Sequence, residues 1–207
     1  MEVNNEIEQK LIDAWEDRKN NLRASFNIAI HLFQETTQAN YQKGIADSSK
    51  ILGYCYWRFS DYSKSLNYSL SARDIYKSLN DKKGEADTVN NLGAVYMFQK
   101  EHQKRLECNL SCLALRKEIE DLVQVSGSMN NIGETYFEMG DYPNAEKWLI
   151  ECLEYKHSGL DSKAWANHNL GKIQMEYANL ESAKTHFTKC LELTTLDKYD
   201  VLTCETY

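Results

Sequence analysis

The chain is short of the residues that build turns and loops. Its 207 residues include one proline and nine glycines, too few for a protein of many short strands, which draws on both at its turns. Positive charge is also scarce: 24 Lys and Arg stand against 31 Asp and Glu, for a net charge of −7. Without a cationic field to gather phosphate backbones or anionic lipid, this region is expected to bind neither nucleic acid nor membrane. No apolar run approaches the roughly 18 residues a membrane span needs. Met1 to Lys10 lacks the basic-then-apolar order of a secretory signal, so the implied location is cytoplasmic. Catalytic signatures are missing as well. His31, His102, His157, His168 and His186 are scattered, and no serine elbow, phosphate loop or His-Glu-x-x-His helix occurs. The chain reads as a non-enzyme with no cofactor and no metal.

What the chain does have is a period. Asn90-Asn91-Leu92-Gly93-Ala94-Val95-Tyr96 returns 40 residues later as Asn130-Asn131-Ile132-Gly133-Glu134-Thr135-Tyr136. Ile51-Leu52-Gly53 precedes the first by 40 residues, and Asn169-Leu170-Gly171 follows the second by 38. Gly53, Gly93, Gly133 and Gly171 thus mark four copies of one unit, the signature of a stacked repeat array. Counted 19 residues on from each glycine stand Ala72, Cys112, Cys152 and Cys190. One repeat position therefore seats a small, weakly polar side chain, and the cysteines are expected to be buried and structural. Cys108 and Cys112 lie one helical turn apart, but no CxxC or His-x-x-x-His completes a zinc set.

Each unit reads as two amphipathic helices. In the third, Met129, Ile132, Tyr136 and Met139 recur at helical spacing before Gly140-Asp141-Tyr142-Pro143 breaks the pattern. Asp141 is placed to cap a second helix with Pro143 in its first turn, where a missing N–H costs nothing. The pairs expected are about 41–78, 84–119, 124–156 and 162–194, forming one repeat region over 39–195. Residues 1–38 are expected to form a capping helix pair, with Leu11, Ala14 and Trp15 facing Ala24, Ile28 and Leu32. Residues 196–207 are expected to open the first helix of a further, truncated unit from Lys198, which makes the chain a fragment of a longer protein.

These units resemble the tetratricopeptide repeat. That family's pattern has Leu, a small residue and Tyr at positions 7, 8 and 11 of a first helix. Small residues follow at 20 and 27, with an apolar one at 24, on a second helix. Ile132, Gly133, Tyr136, Ala145, Leu149 and Cys152 match closely. The second unit departs most, with Arg105 at a small position and Asn109 at an apolar one. Either its second helix is rotated so that Leu106, Leu110 and Leu113 pack, or its packing is looser. The resemblance implies an all-α fold, a right-handed superhelical solenoid of antiparallel helix pairs whose first helices line a concave groove. The 40-residue period, longer than the usual 34, resembles Pins/LGN-type adaptors, Rap-type regulators and bacterial signalling proteins. Residues 84–93 look most like the bacterial group. It implies extra helical turns or longer connections.

The resemblance also implies where function lies: on the groove positions of the first helices. Read off in this chain, these are Lys50, Tyr54, Trp57, Arg58, Asp87, Asn90, Asn91, Met97, Asn130, Asn131, Glu134, Phe137, Trp165, His168, Asn169 and Lys172. Asn91, Asn131 and Asn169 share one repeat position. A side-chain amide donates and accepts, so such a ladder suits an extended peptide backbone; equally, it suits bonds between neighbouring helices. The family's carboxylate clamp for chaperone tails wants Asn four residues beyond Lys50, where Tyr54 stands, so that clamp is not expected. The implied function is a protein–protein interaction module. It would bind an extended peptide, or a segment of a partner or of its own protein, as the amino-terminal sensor or scaffold of a larger bacterial signalling protein. The alternative is a structural array that self-associates through its carboxy-terminal open end.

Overall fold

A computed structural model describes residues 2–204, with side chains described for residues 5–195. Within them lie ten α-helices and no strand. These are α1 (Glu2–Asp17), α2 (Leu22–Gln38), α3 (Gln42–Arg58), α4 (Tyr62–Ser78), α5 (Lys82–Phe98), α6 (His102–Glu118), α7 (Leu122–Glu138), α8 (Tyr142–Glu154), α9 (Leu160–Glu176) and α10 (Leu180–Cys204). The fold is an all-α helical-repeat solenoid. It divides into two compact bodies, Met1–Leu115 and Arg116–Tyr207.

The period has a simple mechanical origin. Helices α2 to α7 are each 17 residues long, and three-residue links join them to one another and α7 to α8. Each link carries one residue in the left-handed region, at Asn40, Ser60, Asn80, Lys100, Glu120 and Gly140. The N–H following that residue reaches back to a carbonyl five residues earlier, as in Asp61 to Tyr56 and Asp81 to Tyr76. This is a Schellman-type stop. Aspartate then starts the next helix: the Asp61, Asp81 and Asp141 carboxylates accept from the N–H groups of Lys64, Gly84 and Asn144. Helix plus link makes 20 residues, and two make 40. The last spacing shrinks to 38 because α8 has 13 residues, and residues 155–159 connect it to α9. The length beyond the family's usual period thus lies in the helices, not in the connections.

The repeat glycines sit where paired helices touch. A Cβ on Gly133 would lie 2.7 Å from Leu149 Cγ, and one on Gly171 2.6 Å from the Phe187 ring. In the first body the neighbours are polar: Ser69 Oγ at 2.3 Å from a Cβ on Gly53, and Asn109 Oδ1 at 2.9 Å from one on Gly93. Arg105 and Asn109 are both buried, at 3% exposure each, while Leu110 is 40% exposed. Helix α6 is therefore not rotated onto its leucines. Asn109 keeps its repeat position against Gly93, and Leu106 and Leu113 are buried beside that face.

Ala72, Cys112 and Cys152 are fully buried, with Cys112 Sγ donating to Ala86 O at 3.5 Å and Cys152 Sγ to Ser126 O at 3.4 Å. Cys190 is only half-buried. Four details differ from the sequence pattern. Ile28 and Met139 are exposed; in α2 the period buries Ser25, Ala29, Leu32 and Thr36 instead. Trp15 is half-buried and lies against Tyr54 of α3, 6.0 Å between centroids. Helix α10 runs unbroken to Cys204, so the stretch from Lys198 extends that helix rather than opening a new one. No glycine or proline interrupts it, and Thr194 and Thr195 return their hydroxyls to Cys190 and Leu191 carbonyls. Residues 205–207 lie outside the described residues.

Candidate functional site

In the first body, α1, α3 and the start of α5 enclose a cavity of about 410 Å³. Its walls are built from i,i+4 and i,i+3 steps, which bring alternate turns of a helix to one face. Lys43, Asp47 and Lys50 come from α3, Trp15 from α1 and Asp87 from α5. Arg18, just beyond the end of α1, completes the wall. Lys43 bridges Asp47, at 3.2 Å, and Asp81. The Tyr76 hydroxyl donates to Asp47 at 2.6 Å. Burial, then Asp47, pushes the Tyr76 hydroxyl well above the ordinary tyrosine range. Lys50 is 8% exposed, 3.5 Å from Asp87 and 4.3 Å from the centre of the Trp15 ring. Burial lowers its pKa, and Asp87 opposes that. A buried ammonium with one long ion pair and an aromatic face is held with little to spare.

The second body has a cavity of about 400 Å³ of different character. Asn130 and Asn131 of α7 meet Trp165 and His168 of α9 there, with Cys190 of α10 on the wall. Trp165 is 50% exposed and stacks on His168 at 5.4 Å; His168 in turn meets Phe187 at 5.8 Å. Asn130 is 3% exposed; its Nδ2 donates to Ser162 O at 2.8 Å, and its Oδ1 is buried without a partner.

Of the sixteen positions expected on the groove, the first cavity gathers Lys50 and Asp87, and the second gathers Asn130, Asn131, Trp165 and His168. The others lie elsewhere. Tyr54 is buried and accepts from Arg58 at 3.2 Å. Trp57 packs on Tyr54 and Phe98, 5.6 and 6.0 Å between centroids. Asn90 and Met97 are half-buried on α5, Glu134 on α7. Lys172 lies 4.4 Å from the centre of the Phe137 ring. The three amides at one repeat position part company. Asn91 is buried and donates to Lys50 O on α3 at 3.3 Å. Asn131 is half-buried. Asn169 is 1% exposed, with neither side-chain polar atom partnered.

Trp15, Arg18, Lys43 and Asp81 were missed by sequence reasoning. No repeat glycine marks residues 1–38, so no spacing signal singles out the first two. Among the described residues, no three His, Cys, Asp or Glu are placed to hold a metal, and no helix is long and apolar enough to cross a membrane.

The tetratricopeptide-repeat family model matches residues 84–156 and 124–195. No functionally curated protein matches the chain. Among solved structures, apo RapI superposes with a TM-score of 0.77 at 20% identity, over 94% of this chain and 72% of that one. A putative kinesin light chain from Podosopora anserina, with nearly identical TPR-like repeats, gives 0.72 at 10% identity, over 93% and 96%. BtubC from P. vanneervenii gives 0.69 at 12%, over 93% and 90%. At these identities the likeness is one of fold. The fold typically serves as a non-catalytic scaffold, and with matched repeats over more than half its length this chain belongs to the tetratricopeptide-repeat family, a protein–protein interaction module.

Proposed function

We propose that the chain binds an extended segment of a protein partner on the faces of its first helices, as a sensor or scaffold. The observation that carries this reading is the second body's cavity, where the half-exposed Trp165 ring, stacked on His168, stands beside Asn130 and the half-buried Asn131. The exposed face of Trp165 supplies an apolar anchor for an extended chain. Half-buried Asn131 and His168 complete the contact, with Glu134, Phe137 and Lys172 along the same two helices. In the first body, Lys50 and Asp87 are the contact residues, flanked by Asn90 and Met97. Asn91 and Asn169, being buried, support the wall from beneath. The signalling context rests on the resemblance of residues 84–93 to bacterial signalling arrays.

The test is selection from a random linear-peptide library on the full chain, followed by affinity measurement with Trp165→Ala and Asn131→Ala. The expected result is a loss of about tenfold or more at unchanged melting temperature. A library that yields no retained peptide contradicts the proposal. Lost stability with unchanged binding in Asn131→Ala would assign that amide to the stack alone.

A second reading has its own observation. On α10, Leu180 and Leu191 are 63% and 67% exposed, and Cys190 is half-buried where Cys112 and Cys152 are fully covered. In that reading a second copy covers α10. Light scattering in which mass rises with concentration, and falls to that of one chain in Leu191→Glu, would favour it.

A further inference from the structure

The net charge of −7 is not shared between the two bodies. Residues 1–115 hold 15 Lys and Arg against 15 Asp and Glu, whereas residues 116–207 hold 9 against 16. The excess belongs to the second body, and its cavity has the same sign. Among the residues lining that cavity, Asp161 is the one Asp, Glu, Lys or Arg. It is exposed in the first turn of α9, where the free N–H groups of a helix start favour an anion. Among the described residues, no cationic side chain forms an ion pair with it. Four residues on, along the same face, stands Trp165, 50% exposed and stacked on His168 at 5.4 Å. No Lys or Arg lies over its ring among the described residues. Farther along α9 an aromatic face is filled from within, by Lys172 at 4.4 Å from the centre of the Phe137 ring. Asp161 and Trp165 thus present an anion and an open aromatic face on one cavity wall.

We propose that this cavity receives an arginine side chain of the bound segment, its guanidinium lying on the face of Trp165 and paired with Asp161. This deepens the peptide-binding reading and rests on it. The face of an aromatic ring attracts a cation, and tryptophan does so most strongly. A guanidinium is planar, so it can stack on the ring while its edge donates to a carboxylate; an ammonium is a point charge without that fork. The methylenes of an arginine stem suit the apolar part of the wall at Ala164. A carboxylate or phosphate would meet Asp161 with no Lys or Arg in the lining to hold it. An apolar side chain would cover Trp165 and strip water from Asp161 without replacing it. The negative excess of this body also steers a basic segment toward it.

The test uses the full chain and peptides retained from a random linear library. Those weakened by Trp165→Ala are resynthesised with acetylated N-termini, so that no terminal amine competes. Each arginine is then changed in turn to citrulline, its neutral isostere, or to lysine. At one position citrulline should weaken binding by about tenfold or more, with lysine falling between. Asp161→Asn and Trp165→Leu should each cut the advantage of the arginine form over the citrulline form to less than about threefold. Glu181→Gln, which removes an exposed carboxylate of the same body outside the cavity lining, should leave that advantage intact. Melting temperatures of the variants separate lost recognition from lost folding. If the peptides carry no arginine, bind equally well as citrulline forms, or keep the advantage in folded Asp161→Asn or Trp165→Leu, the arginine assignment is overturned while peptide binding stands. If no peptide is retained, or none is weakened by Trp165→Ala, the binding reading falls with it.

Discussion

The two bodies use the same repeat positions but differ in which buried polar atoms go unpartnered, the Ser25, Ser49 and Ser69 hydroxyls among them in the first body and the Asn130 and Asn169 amides in the second. In the first, polar groups at the wall are wired together: Lys43 to two aspartates, Tyr76 to Asp47, Asn91 to the Lys50 carbonyl. In the second, the amides of Asn130 and Asn169 keep buried atoms with no partner. Their glycine seats differ in parallel, facing Ser69 and Asn109 in the first body but Leu149 and Phe187 in the second. A repeat thus conserves geometry while leaving recognition chemistry free, because the fold requires only a small residue, a helix of set length and a stop.

The largest expected effect sharpens the packing side of this contrast. Gly133→Ala and Gly171→Ala drive a Cβ into a leucine and a phenylalanine, and each should cost about 2 kcal/mol in denaturant unfolding. Gly93→Ala meets only the end of the Asn109 amide, which can move. It should fall within about 1 kcal/mol of the parent, since alanine favours a helix interior. Equal losses at Gly93 and Gly133 would erase the distinction.

Next come the amides. Asn91→Leu breaks a bond to α3, although the Lys50 carbonyl keeps its partner within the helix, and should cost about 1 kcal/mol. Asn169→Leu replaces an unpartnered buried amide with an apolar side chain of similar shape. It should be neutral or stabilising by about 1 kcal/mol. Thermal melts of the two variants should therefore move in different directions; a shared direction would break the comparison. Tyr76→Phe removes the hydroxyl from Asp47 and should cost about 1 kcal/mol.

The smallest effect is in pH. Burial raises the Asp81 pKa, but hydrogen bonds from Lys43 and the Gly84 N–H outweigh it and hold the carboxyl below its ordinary value. A depressed carboxylate contributes stability above its unfolded pKa, about 3.9, and loses it as pH falls through the folded value. Acid unfolding of the parent should be steeper below about pH 4 than that of Asp81→Asn. Parallel curves would show that the Lys43 bridge adds nothing.

Much of this was legible from residue spacing. The glycine period marked the four units that contain Gly53, Gly93, Gly133 and Gly171, and Asp141-Tyr142-Pro143 marked a helix start, because caps and small seats are local requirements. Trp15 and Arg18 were not legible as site residues. Nothing in residues 1–38 repeats the glycine, so that pair reads as a cap, and only the tertiary approach of α1 to α3 brings its ring and guanidinium to Lys50. Arg105 and Asn109 resisted for a similar reason: a buried arginine breaks the pattern at one position while Asn109 and Cys112 keep the register. In α10, no breaker residue marks an end, and the helix simply continues.

The most direct test of the central claim is hydrogen exchange on the full chain with and without a library-selected peptide. Within each body, protection should gather on first helices, α3 and α5 in one and α7 and α9 in the other, strongest around Lys50 and Asn130. Protection confined to α4, α8 or the outer face of α10 would contradict the account.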